Sequence, residues 1–277
     1  MSQIEIGCCS FVFGGLSLEA SLGHCRNLGF RRVDVSAADI GPGAQVDQQA
    51  AVARPEATGR RVRDLAAANG LEMEELFLCP VFVEGRRVEV SAPDGEARRK
   101  LLENFVGICR FASEAGFRSV MAVPGTPQPG LDDGQAWGHA VPTLRQMVRM
   151  AGEHGLDLNV EPHTGSLIEQ PAAARRLAEA VPGLAFTLDY AHFVSRGIPQ
   201  SDVVPLHAFT RHLHARQAKP GDGHCPVEEG EIDFAGIVAD LRQRGWCGAI
   251  TMEYFGKPEE ATAQNLRMAE ELRRLLT

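Results

Sequence analysis

Eight short apolar runs, each followed by a helix-like stretch, are spaced along the whole of this 277-residue sequence. The strand-like runs are 4–10, 31–36, 71–79, 119–123, 156–161, 184–189, 211–215 and 249–254. The intervening stretches predict helices, with Ser17 as the N-cap of the first and then over 55–69, 95–115, 134–154, 170–180, near 201–209, 233–244 and 258–276. Gly29, Gly70, Gly116 and Gly155 stand where four of these helices should stop, as helix C-termini commonly do. Alternating strand and helix units imply parallel strands joined by right-handed crossovers, with helices outside. Eight units in a chain of this length match a (β/α)₈ TIM barrel, an α/β fold, as one domain over 1–277. An open doubly wound sheet would carry a glycine-rich phosphate loop after its first strand, and none is present. Two stretches fall outside the regular alternation. VFVEGRRVEVSAPDG (81–95) reads as an excursion or a small hairpin, and the region around GPGAQVDQQAAVARP (41–55) reads as loop.

Four ligand-type residues close four successive strands in the second half: Glu161, Asp189, His214 and Glu253. Strand side chains alternate between faces. Leu156, Leu158 and Val160 share one parity; Asp157, Asn159, Glu161 and His163 share the other. Leu184, Phe186 and Leu188 oppose Ala185, Thr187 and Asp189, while Ile250, Met252 and Tyr254 oppose Ala249, Thr251 and Glu253. Leu213 opposes His212 and His214. The bulky apolar parity suits the helix layer, so the four candidates should point into the barrel at its C-terminal mouth. Ionisable groups crowded in one mouth repel and desolvate one another, and a divalent cation removes that cost. Three carboxylates and one imidazole suit Mn²⁺, Mg²⁺, Co²⁺ or Zn²⁺.

Composition narrows the remaining classes. A net charge of −8 disfavours nucleic acid as a partner. No run approaches the roughly 18 apolar residues of a membrane span, and the N-terminus lacks a signal-peptide pattern. Seven cysteines without a CxxC spacing predict reduced thiols in a cytoplasmic protein. A homo-oligomer is compatible with this composition.

The stretches EHGLDLNVEPHTG (153–165), LAFTLDYAHF (184–193), RHLHARQ (211–217), DGHCPVEEGEIDF (222–234) and AITMEYF (249–255), together with the opening FGGLSLEASLGHCRNLGFRRVDV, form an ordered set. They resemble the xylose-isomerase-like TIM-barrel superfamily, the sugar phosphate isomerase/epimerase family related to endonuclease IV. The resemblance implies that Glu161, Asp189, His214 and Glu253 hold one catalytic divalent metal, Mn²⁺ being expected and Mg²⁺, Co²⁺ or Zn²⁺ the alternatives. It implies that Glu161 and Glu253 act as acid and base. His192 resembles a substrate-contacting position, or, with Asp222 and His224, a further zinc site. The sequence departs from endonuclease IV in lacking histidines after its third and fourth strands. Where the family often has Asp two residues after the seventh-strand His, this chain has Arg216, which would bind a substrate carboxylate or phosphate or lie on the surface.

This chemistry implies proton abstraction from a ketose, sugar phosphate or related keto-polyol through a metal-stabilised enediolate. Acid and base on one carbon give epimerisation; one group serving adjacent carbons gives isomerisation. A hydroxyl leaving from the β position gives a dehydratase (lyase) acting on a keto-polyol or keto acid. An endonuclease IV-like phosphodiesterase and a sugar-binding barrel without turnover are the remaining readings. His163 reads as a residue orienting a ligand or as a loop histidine, His212 as a hydrogen-bonded interior residue, and Phe11 and Phe13 as walls of the mouth.

Overall fold

The computed structural model describes residues 4–38, 45–78 and 81–277. Cys79 and Pro80, the expected end of the third strand, and 41–44 of the expected loop lie outside the described residues. Eight parallel strands close a barrel: β1 (Glu5–Cys9), β2 (Arg32–Ser36), β3 (Glu72–Leu78), β6 (Ser119–Ala122), β7 (Asp157–Val160), β8 (Ala185–Asp189), β9 (Thr210–Ala215) and β10 (Ala249–Met252). Pairing runs in chain order, and β1 closes the ring on β10, with Glu5 beside Ala249 and Cys8 beside Met252. The 81–95 segment is a hairpin, β4 (Val81–Val83) against β5 (Arg86–Val88), outside the barrel sheet.

The principal helices are α1 (Leu18–Asn27), α3 (Pro55–Ala68), α4 (Gly95–Ala115), α5 (Asp133–Glu153), α6 (Pro171–Ala180), α9 (Phe234–Gln243) and α10 (Pro258–Leu276). Their ends follow local chemistry. Ser17 caps α1 by accepting from Ala20 N, and Asp132 and Gln135 form a reciprocal capping box on α5. Gly116 ends α4 at φ 87°, a left-handed conformation that a side chain would strain. Three elements differ from expectation. Part of the expected loop is a short helix, α2 (Gln48–Ala53), capped by Asp47. Another short helix, α7 (Ala191–Val194), follows Asp189 directly. The helix expected near 201–209 is instead a short α8 (Gln200–Val203) continued as a 3-10 segment, Val204–Phe209. Pro205 lacks the N–H that an α-helix would need there.

α3 packs tightly on α4 through Gly59. A Cβ at that position would lie 2.7 Å from Glu114 Cβ and 2.8 Å from the Phe111 carbonyl oxygen. A backbone carbonyl cannot rotate away, so the helices would have to separate, at a cost of about 1–3 kcal/mol. The gain in helix propensity, about 1 kcal/mol, offsets only part of this. Gly59→Ala is therefore expected to lower Tm by several degrees in a thermal melt; an unchanged or raised Tm would contradict this packing.

Candidate metal centre

The alternation read from the strands holds in three dimensions, and the deeper residue on each strand reports it. Asn159, two residues before Glu161, donates to Glu75 Oε1 at 2.6 Å, and Thr187, two before Asp189, donates to Glu75 Oε2 at 2.6 Å. His212 and Thr251, two before His214 and Glu253, both bond Asp34 Oδ2, at 2.9 and 2.6 Å. These bonds cross between strands that are not neighbours, so the side chains fill the barrel interior. Glu161, Asp189, His214 and Glu253 continue the same face by one step, to the C-terminal mouth.

There they meet. All four are buried, at 5%, 1%, 1% and 3% exposure respectively. Glu161, Asp189 and Glu253 each place an oxygen within 4.8 Å of the other two. His214 Nδ1 lies 3.3 Å from Glu161 Oε1 and 3.3 Å from Glu253 Oε1. Glu161 Oε1, Asp189 Oδ2 and His214 Nδ1 are buried without a hydrogen bond, an arrangement that native proteins avoid unless another partner is intended. Arg216 is the guanidinium at the cluster, with Nη2 2.6 Å from Asp189 Oδ2 and Nε 3.9 Å from Glu253 Oε2. The Arg216 contact to Asp189 is a close charge pair without hydrogen-bond alignment. With all three carboxylates ionised around a cation, they and the one guanidinium carry a charge of −2, which one divalent cation cancels. The donor set, its orphaned atoms and its charge therefore fit a divalent metal.

Electrostatics agree. Burial pushes the Glu253 carboxyl up to about 7, with Glu161 and Asp189 adding repulsion, against the opposing pull of His214 and Arg216. Burial also raises Glu161, but His192 and His214 outweigh it and hold that carboxyl well below the ordinary range. The two glutamates thus stand in opposite electrostatic settings a few ångströms apart.

Beneath the cluster lie two buried carboxylates that reading the strands did not single out. Asp34 on β2 and Glu75 on β3 are both fully buried. Glu75 Oε1 also accepts from Ser119 Oγ at 2.7 Å. The pairing of β2 with β3 slips between Val33 and Val35, and Asp34 Oδ1 accepts from Glu75 N there at 3.1 Å. Such bulges re-aim side chains. The available sequence signal was an acid inside each apolar run, RVDVS and EMEELFL. His212 is the hydrogen-bonded interior residue its position suggested.

The mouth has a polar side and an aromatic side. His192 Nε2 lies 3.7 Å from Glu161 Oε2, 3.6 Å from Asp189 Oδ2 and 3.3 Å from Arg216 Nη2. The exposed His163 ring packs on His192 at 4.1 Å between centroids. Phe11 packs on Phe77 and Phe255, and Phe77 stacks over His214 at 6.2 Å. Phe13 turns away, edge-on to His24. Arg216 is drawn into the cluster with its side chain only 13% exposed, which corrects the surface alternative. Asp222 and His224 stand apart. Asp222 accepts from His224 N, and the His224 ring bonds the Phe255 carbonyl. Among the described residues, the groups close enough to share an ion include Glu161, His163 and His192 but neither Asp222 nor His224. A surface groove of about 780 Å³ between Leu16 and Arg61 shares no residue with the cluster. Cys8, Cys9, Cys25, Cys109, Cys225 and Cys247 are free thiols, with Cys247 exposed. Among the described residues, no helix is long and apolar enough to cross a membrane.

The fold is similar to D-psicose 3-epimerase from Clostridium cellulolyticum H10, solved with D-tagatose (14% identity, 99% of both chains covered, TM-score 0.77). It is similar to an L-ribulose 3-epimerase (20% identity, 99% of this chain and 93% of the other, TM-score 0.71). It is also similar to the probable 3-DHS dehydratase of petrobactin synthesis from Bacillus anthracis (17% identity, 98% and 99% covered, TM-score 0.72). At these identities the likeness is one of fold. By sequence alone, no curated protein gives a significant match. The family model for the xylose isomerase-like TIM barrel matches residues 22–272. With that match over most of its length, the chain belongs to the xylose isomerase-like TIM barrel family.

Proposed function

We propose that this protein is a divalent-metal-dependent enzyme that epimerises or isomerises a ketose or related keto-polyol by moving a proton at the carbon next to the carbonyl. The observation that carries the reading is the buried convergence of Glu161, Asp189 and Glu253 on one point beside His214 Nδ1. In this reading those four residues hold the metal. A bound divalent cation polarises the carbonyl and stabilises the negative charge that builds up as the proton leaves.

The protein's own groups do the rest. Glu161 and Glu253 come from β7 and β10, on either side of the His214 strand in the barrel order, so the two carboxylates approach a substrate from different directions. One takes the proton and the other returns it. His192 is placed to donate to or accept from a substrate oxygen at the cluster's edge. Arg216 is already engaged by Asp189 and Glu253, so its charge serves the carboxylates first and a substrate oxygen second. The Phe11–Phe77–Phe255 wall offers the apolar face of a sugar a surface and excludes water from the proton transfer.

The epimerases among the similar structures support this reading. The dehydratase among them supports a second: the same proton abstraction expels a hydroxyl if the substrate carries one β to the carbonyl. A phosphodiesterase would need a fuller zinc set, and Asp222 and His224 do not join the cluster that would extend it. Metal-stripped protein is expected to be inactive on every member of a panel of ketoses and keto-polyols. Adding back Mn²⁺ should restore turnover on at least one. Turnover that survives complete removal of metal would overturn the reading, and a new conjugated chromophore among the products would select the lyase.

A further inference from the structure

We propose that Asp34 is a positioning residue for the metal centre, holding the His214 imidazole so that Nδ1 faces the cation. The inference rests on the metal-site reading above and goes one layer deeper. His214 is buried, and neither ring nitrogen has a hydrogen bond. A neutral imidazole has one donor and one acceptor nitrogen, and burial requires a partner for each. Nδ1 looks at Glu161 and Glu253, 3.3 Å from each. Nε2 looks the other way, at Asp34 Oδ2, 3.6 Å distant. If Nδ1 carried the proton, its lone pair would be lost to the cation and Nε2 would face a carboxylate with nothing to donate. With the proton on Nε2, the Nδ1 lone pair is free for the cation and the Nε2 proton faces the Asp34 carboxylate.

Asp34 is built to hold that orientation. Its Oδ1 accepts from the Glu75 amide at the strand slip, and its Oδ2 accepts from Thr251 Oγ1 and His212 Nε2. Cys9 Sγ lies 3.5 Å from the same oxygen. Donors from β1, β3, β9 and β10 thus surround one carboxylate on β2 and prevent its rotation. Asp34 acts on the centre through His214 and does not touch substrate.

The test uses the full-length protein and Mn²⁺ as the probe. Asp34→Asn is expected to weaken Mn²⁺ binding about 10- to 100-fold, the usual cost of losing a carboxylate behind a histidine ligand, read by electron paramagnetic resonance of free Mn²⁺. Long-range ¹H–¹⁵N spectra of protein loaded with diamagnetic Zn²⁺ should show His214 protonated at Nε2 in the wild type and mixed in the variant. A purely structural role would lower Tm but leave the tautomer alone. Thr251→Val, which removes one clamp on Asp34, should shift both readouts in the same direction by less, and carries the test if Asp34→Asn does not fold. Wild-type affinity and tautomer in the variants would overturn the role of Asp34 while leaving the metal site intact. A wild type that binds no Mn²⁺ would instead remove the metal reading itself.

Discussion

Glu253→Gln should all but abolish exchange of the substrate α-proton with D₂O, lowering kcat by about 10²- to 10⁴-fold. Glutamine keeps the size of the side chain and an oxygen that can face a cation, but it cannot take a proton. Mn²⁺ occupancy measured on the same sample separates lost proton transfer from lost metal. The parallel variant Glu161→Gln distinguishes the outcomes on one carbon. Assayed from both epimers, complementary losses, with each variant failing on a different epimer, mean two bases and epimerisation, whereas loss confined to one variant on both substrates means a single base and isomerisation. The same substitution should have the opposite effect on stability. Burial and the neighbouring carboxylates push Glu253 up to about 7, so the charged form is disfavoured there. A neutral isostere relieves that strain, and metal-free Glu253→Gln is expected to melt above the metal-free wild type, the familiar opposition of active-site crowding to stability. Exchange at the wild-type rate in both variants would end the proton-transfer proposal.

Glu75→Ala should produce the largest loss of stability of any single truncation in the barrel interior. Glu75 is fully buried and accepts from Ser119, Asn159 and Thr187 at 2.6–2.7 Å. Truncation strands three buried donors and opens a cavity. Each stranded donor costs about 1–3 kcal/mol. The two hydroxyls can turn toward backbone carbonyls, whereas the Asn159 amide cannot escape: its Oδ1 is already without a partner, so flipping the amide gains nothing. A net loss of about 3–5 kcal/mol follows, which for a chain of this size lowers Tm by about 2–4 °C per kcal/mol. Urea or thermal unfolding measures it directly. A loss below about 1 kcal/mol would mean that water or a neighbour replaces the carboxylate, and that the interior is less tightly matched than these bonds require.

The strands, their order and the meeting of three carboxylates and one imidazole at one mouth were legible because they rest on local, periodic signals. A two-residue alternation assigns each side chain to a face, and a ligand-type residue at a strand's end must point where that face points. Short elements were harder. Gln48–Ala53 is too brief to show a period, and its start depends on the Asp47 cap. The 201–209 stretch reads as helical by composition, but Pro205 cannot supply the donor that an α-helix requires.

The sequence by itself determined the alternating architecture and the set of carboxylates and imidazole at one mouth, since both follow from side-chain period and position along each strand. Only the tertiary structure decided that Arg216 lies against Asp189, that Asp222 and His224 stand apart from His192, and that Asp34 and Glu75 anchor the interior. The physical reason is the closure of β1 on β10. It brings residues more than two hundred positions apart, such as Asp34 and Thr251, into hydrogen-bond contact. The burial and charge partners of a side chain depend on such neighbours, which no local pattern encodes.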